Sequence, residues 1–227
     1  MHYLLKHLDS AWALTVVHLR LSLLPVLIGL AVAVPLGAVV QRAPIARRVT
    51  TITAAVVFTI PSLALFVVLP LIIGTRVLDE ANVIVALTAY AVALLVRAVL
   101  EALDAVPVHV RDAAIAVGYP TLTRMLKVEL PLAVPVLIAG LRVVVVTNIA
   151  MVSVGSVIGI GGLGAWFTAG YQTNKSDQIV AGIIVVLALA AVMDLLIVLA
   201  GWLLTPWERA GSGRRRPLVS PIVGGAR

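Results

Sequence analysis

Chemistry needs reactive side chains held close together, and this chain offers few groups that could supply it. Its 227 residues include no cysteine, so neither a disulfide nor a thiolate metal site can form. Four histidines, His2, His7, His18 and His109, lack the short spacing that would set two of them on one metal ion. Gly159-Ile160-Gly161-Gly162-Leu163-Gly164 fits the dinucleotide pattern G-x-G-x-x-G. That pattern binds a pyrophosphate only between the strand and helix of a βαβ unit, whereas here it follows a long apolar run. The glycines read instead as a turn with close helix packing. The P-loop pattern G-x-x-x-x-G-K-[ST] is absent, so no P-loop holds a nucleoside triphosphate. Neither a catalytic residue nor a metal nor a cofactor is expected.

What remains is a handful of charges in apolar surroundings. Arg97, Arg142 and Asp194 lie within or beside long hydrophobic segments. An ionisable group in a bilayer is costly and faces a partner or a watery path. The elements around these charges follow from composition. Hydrophobic residues make up 62% of the chain and charged residues only 12%, far from the balance of a water-soluble domain. Leu21 to Gln41, Val49 to Thr75 and Val143 to Asn174 carry no Asp, Glu, Lys or Arg. A spanning helix needs about 20 apolar residues, and each run supplies them. Ala81 to Val96 and Gln178 to Met193 reach that length by passing one ionisable residue each.

The expectation is therefore an all-α integral membrane protein of about five transmembrane helices, at 20–41, 50–74, 81–100, 132–156 and 178–204. Residues 1–19 form an external segment rather than a cleavable signal, because the first apolar run starts late and is too long. Of the seventeen Lys and Arg, twelve fall in the segments 42–48, 97–127 and 209–227. Only Lys6, Arg20, Arg76 and Lys175 fall on the opposite side, which puts the N-terminus outside and the C-terminus in the cytoplasm. Residues 208–227, rich in Gly, Pro and Arg, read as a disordered basic cytoplasmic tail. The net charge of +7 is thus a matter of topology, and no nucleic acid is implied.

The longest cytoplasmic connection, 101–131, is too patterned for a passive linker. Glu101–Val117 reads as a helix interrupted at Pro107, and Gly118-Tyr119-Pro120 breaks it. Thr121 caps a second short helix, Leu122 to Glu129, which Leu130-Pro131 ends. Ala113 and Ala114 would let a partner backbone approach. The order Asp112-Ala113-Ala114, three residues, Gly118, eleven residues, Leu130-Pro131 resembles the EAA loop of ABC-importer permeases, with Val128 at its hydrophobic place. Asp112 replaces the family's Glu, keeping the charge on a shorter arm.

Other segments are similar to one branch, the permeases for glycine betaine, choline and carnitine. They are His18-Leu19-Arg20-Leu21-Ser22 with Pro35-Leu36-Gly37, Thr59-Ile60-Pro61-Ser62-Leu63-Ala64-Leu65, and Gly159 to Gly164. The resemblance covers roughly residues 15 to 207. It implies a type I ABC-importer permease fold in the cell membrane. The partners it implies are a cytoplasmic ABC ATPase, a second permease copy or paralogue, an external substrate-binding protein and the lipid bilayer. Asp112, Ala113, Ala114, Gly118, Tyr119, Pro120, Leu130 and Pro131 would couple to the ATPase. Gly159, Gly161, Gly162 and Gly164 would shape an external gate or loop. Thr59, Ser62, Asn148 and Asp194 could line the path, Asp194 either as counter-ion to a quaternary ammonium or simply paired with Arg142. Aromatic residues are only 5% of the chain, so tight cation–π recognition belongs to the binding protein. The alternatives are another small solute such as methionine, or an ATPase-independent channel or secondary transporter.

Overall fold

A computed structural model describes residues 2–207 and is helical throughout, without strands among the described residues. The expected tail, 208–227, lies outside them. Helices suit this composition, because in lipid the backbone must satisfy its own hydrogen bonds. The chain runs through α1 (His2–Lys6), α2 (Leu8–Val40), α3 (Pro44–Thr59), α4 (Ser62–Ile73) and α5 (Glu80–Asp104). It continues through α6 (Val108–Ala116), α7 (Thr121–Arg124), a π turn (Met125–Glu129) and α8 (Leu130–Gly155). A 3-10 turn (Ser156–Ile158), α9 (Gly164–Gln172) and α10 (Ser176–Leu204) complete it.

Among the described residues, four stretches are long and apolar enough to cross a membrane: Leu8–Val40, Glu80–Asp104, Thr121–Ile158 and Ser176–Leu204. The expected span 50–74 is not one helix, since α3 and α4 meet at 101°. Ile60 and Pro61 are both extended (ψ 129° and 128°), as expected of a residue before proline and of a proline without a donor. Tyr90 of α5 donates its hydroxyl to the Ile60 carbonyl at 2.6 Å, supplying the partner that the break removes. The first helix also departs from expectation. It begins at Leu8 rather than near residue 20, so most of the segment 1–19 is the first turns of α2.

The core is built around α5. More than half of its apolar window, 56%, is buried, against 6% for α10. Leu87, Tyr90, Leu95, Val96, Val99 and Leu103 of α5 are fully or almost fully enclosed. Helices α2 and α8 approach it over small residues. A Cβ on Gly29 would lie 2.8 Å from the Ala91 Cβ, one on Gly37 2.5 Å from Val99 Cγ1, and one on Gly140 2.5 Å from the Ala98 Cβ. Gly29, Ala33 and Gly37 repeat every four residues, the small-residue spacing by which membrane helices pack closely. Ion pairs fasten the two ends of the bundle. Arg20 of α2 meets Glu80 of α5 at one end, and Arg47 of α3 meets Asp104 of α5 at the other.

Candidate functional site

The connection between α5 and α8 projects from the Arg47–Asp104 end. Helix α5 continues to Asp104, past the expected limit of its span, and Pro107 opens α6. Gly118 closes α6 with a left-handed φ of 87°. The Tyr119 N–H bonds the Ala114 carbonyl at 3.0 Å and the Gly118 N–H the Ile115 carbonyl at 2.9 Å. These two bonds form a Schellman cap, and Pro120 follows where the helix cannot continue. The sequence places this break correctly.

Two other expectations for the loop fail. Leu130-Pro131 does not end a short helix, because Thr121 to Ile158 is continuous. The reason is the π turn, in which the Leu130 N–H bonds the Met125 carbonyl, five residues back. Its wider turn relieves the clash between the Pro131 ring and the preceding turn, so the helix carries on. Nor does Thr121 cap it, because Pro120 holds the N-cap position and no side chain caps the turn. Asp112 and Ala113 are exposed, while Ala114 is buried.

Around α6 the surface is unusually apolar. Val108, Ile115, Val117, Tyr119, Leu122 and Leu126 are all between 39% and 78% exposed. Exposed apolar sets of this kind meet a partner protein or lipid. Charges surround it: Arg42, Arg47, Arg48, Arg111, Arg124 and Lys127 all belong to this end. Glu129, to which sequence reading assigned nothing, is completely buried among three of these arginines. Its only visible signal was an acid placed directly before Leu130-Pro131.

At the opposite end, Gly159 to Gly164 form the turn between α8 and α9. Gly159 and Gly162 have φ of 81° and 77°, as their glycine identity allows. His18 of α2, buried completely, holds this turn in place. Leu163 donates its N–H to His18 Nδ1 at 3.2 Å, so Nδ1 carries a lone pair and the ring proton sits on Nε2. That Nε2–H donates to the Ile149 carbonyl at 2.8 Å. A Cβ on Gly162 would lie 2.9 Å from His18 Nδ1, and one on Gly164 2.6 Å from the Ser153 carbonyl. The turn is therefore a packed element of the fold, which leaves a role in gating as a proposal. The aromatic cluster nearby divides: Trp166 is buried edge-on to Tyr3, while Tyr171 is 83% exposed on a recess of about 530 Å³ with Phe167.

The four polar residues expected along a path occupy three separate places. Thr59 and Ser62 flank the α3–α4 break. Asn148 is buried and bridges α8 to α2, its Nδ2 donating to the Ser22 carbonyl at 3.3 Å. Asp194 takes a two-pronged contact from Arg142, at 2.6 and 2.7 Å, joining α10 to α8. Pairing, rather than a free counter-ion, is thus the state of Asp194. Arg97, exposed on α5, has no ion-pair partner among the described residues. Those residues also contain no group of His, Asp and Glu suited to a metal ion.

Residues 25–205 match the family described as "Binding-protein-dependent transport system inner membrane component". The chain is 34% identical over 212 residues to the osmoprotectant import permease protein OsmW of Salmonella typhimurium, covering 91% of this chain and 97% of that one. It is 30% identical over 222 residues to the choline transport system permease protein OpuBB of Bacillus subtilis, covering 96% and 100%. A solved structure of the MetNI methionine ABC transporter, in an inward-facing conformation, superposes with a TM-score of 0.68. That match has 26% identity and covers 86% of this chain and 92% of the other.

Proposed function

We propose a function from one premise: the chain belongs to the family of inner-membrane components of binding-protein-dependent transport systems. It is the permease subunit of an ABC importer, a multi-pass protein of the cell membrane with the type I permease fold. Its proposed cargo is an osmoprotectant, of the glycine betaine, choline or carnitine kind, handed over by an external binding protein. The relatives support this cargo by name over nearly the whole chain. Methionine, the solute of the transporter that matches in structure, has the support of a lower identity.

The single observation that carries the coupling mechanism is the capped, apolar-faced helix α6 at the arginine-rich end. In the proposed mechanism, Asp112, Ala113, Gly118, Tyr119 and Pro120 meet the ATPase, which hydrolyses the ATP. Ala114 and Leu130-Pro131 support that surface from within. The arginine-rich end faces the cytoplasm by the positive-inside rule, which leaves the N-terminus outside and the C-terminus inside. A second permease copy or paralogue completes the translocation path, and Arg97, without an ion-pair partner among the described residues, faces that path or that partner. Closure of the ATPases then moves the helices between outward- and inward-open states through the coupling loop.

The test is reconstitution of permease, ATPase and binding protein in vesicles, with labelled glycine betaine, choline, carnitine and methionine as probes. Uptake of at least one of the first three, dependent on ATP and binding protein, is expected. Methionine uptake alone would overturn the cargo. Failure of the ATPase to co-purify with the permease would overturn the coupling.

A further inference from the structure

Glu129 has no exposed surface, yet three arginines from three different segments reach its carboxylate. Arg42, in the turn between α2 and α3, donates to Oε1 at 2.7 Å. Arg124 of α7 donates its Nε–H to the same oxygen at 2.9 Å. Arg111 of α6 is held differently. Its Nε lies 3.5 Å from Oε2, an ion-pair distance without a hydrogen bond, and both of those atoms are buried without a hydrogen-bonding partner. A second arm of Arg111 donates to the Leu103 carbonyl, at 3.2 Å, near the end of α5.

Two legs of this arrangement are closed and one is loose, and the loose one leads to the docking helix. A buried charge cluster is weak evidence for stability, since apolar residues of the same volume often hold a fold as well. Fixing the register of moving parts is its better-attested use. Glu129 also ends the π turn, the one irregular turn between the docking surface and α8. Such turns inside helices recur at functional sites. A shift of α6 of well under 1 Å would bring Arg111 into a charge-assisted hydrogen bond of about 2.7–2.9 Å with Oε2.

We propose that Glu129 is the positioning residue through which movement of α6 reaches α8 and the α2–α3 turn together. Without it, α6 and α8 would respond separately to the ATPase. The inference rests on the reading of α6 as the ATPase seat. It adds a residue outside the docking surface, acting through Arg42, Arg111 and Arg124.

The chain has no cysteine, so spin labels can be placed cleanly at His109→Cys on α6, outside the docking residues, and Val136→Cys on α8, both exposed. The distance between them is read in the assembled transporter, nucleotide-free and then trapped with ATP and vanadate. With Glu129 present the distance is expected to hold within about 1 Å between the two states. In Glu129→Gln it is expected to change or broaden by about 2 Å or more, the scale of helix shifts in switching proteins. The charge-balanced pair Glu129→Gln/Arg124→Gln should show the same loosening with normal assembly, which separates transmission from simple charge balance. Arg111→Gln, which leaves the two closed legs intact, serves if neither assembles. An unchanged distance in an assembled variant, or an equal change in the parent protein, overturns the inference. If Ala113→Trp leaves ATPase binding intact, the docking reading fails and takes this inference with it. If Ala113→Trp abolishes binding but Glu129→Gln loosens nothing, only this inference falls.

Discussion

Replacing Gly118 asks what the glycine is for, and the structure gives a quantitative answer. Its φ is 87°, and a Cβ built there meets nothing within 4 Å in the chain itself. Space is therefore available, and the penalty on a side chain is backbone conformation alone. A left-handed residue with a Cβ costs about 1–2 kcal/mol, less for Asn, whose side chain can bond locally. That energy corresponds to a factor of about 5 to 30 in the population of the capped helix. If capped α6 is the binding form, the apparent affinity for the ATPase weakens by up to that factor. Titrating the ATPase onto the permease in nanodiscs should give the order Gly118, then Gly118→Asn, then Gly118→Ala. The opposite order, with Asn worse than Ala, would refute the reasoning. It would follow side-chain size and place the requirement in the partner's surface rather than in the Schellman cap.

The other predictions concern the bundle. Gly29→Ala sets a methyl 2.8 Å from the Ala91 Cβ and 3.3 Å from backbone of α5. Overpacking of about 1–3 kcal/mol should outweigh a helix-propensity gain of about 1 kcal/mol. The melting temperature should fall, and Gly29→Ala/Ala91→Gly should recover part of the loss; a neutral single variant would mean that α2 and α5 are less closely packed. Gly162→Ala combines a left-handed residue, about 1–2 kcal/mol, with a contact against His18, and should open the 159–164 turn to proteases; wild-type resistance would count against His18 as its anchor. Asp194→Asn strands Arg142 between α8 and α10 and should lower thermal stability in detergent. Asp194→Asn/Arg142→Gln should restore stability and keep uptake, whereas uptake lost in that stable double variant would return Asp194 to the path.

The number of hydrophobic segments could be read from the sequence because lipid imposes one dominant constraint, a run of apolar residues per crossing. The loop could be read because Gly118 and Pro120 are local punctuation whose effect needs no distant partner. Proline elsewhere has no single meaning. Pro25, Pro35 and Pro135 lie inside unbroken helices, Pro61 ends one, and Pro131 is absorbed by a π turn. The difference depends on tertiary neighbours, such as the Tyr90 hydroxyl at the Ile60 carbonyl, which spacing cannot show. Glu129 was invisible for the same reason, since its three arginines lie 5, 18 and 87 residues away in sequence. The Gly29-Ala33-Gly37 repeat was legible in principle, as a four-residue spacing of small residues in an apolar run.

The π turn carries one more consequence. It amounts to a single extra residue in a helix that otherwise advances about 100° per residue. The wide turn takes up that residue locally, so the two ends of one long rod keep the angular phase of an unbroken helix. Arg142 is aimed at Asp194 within the bundle, while the segment ahead of Met125 is aimed at α6. A deletion within 125–129 would only convert the wide turn to an ordinary one. Deleting one residue from the regular helix beyond it, at 132–141, would shorten the rod by only about 1.5 Å but swing its leading end by about 100°. The lesion would be one of aim rather than of length, and inserting a residue close by would be its natural suppressor.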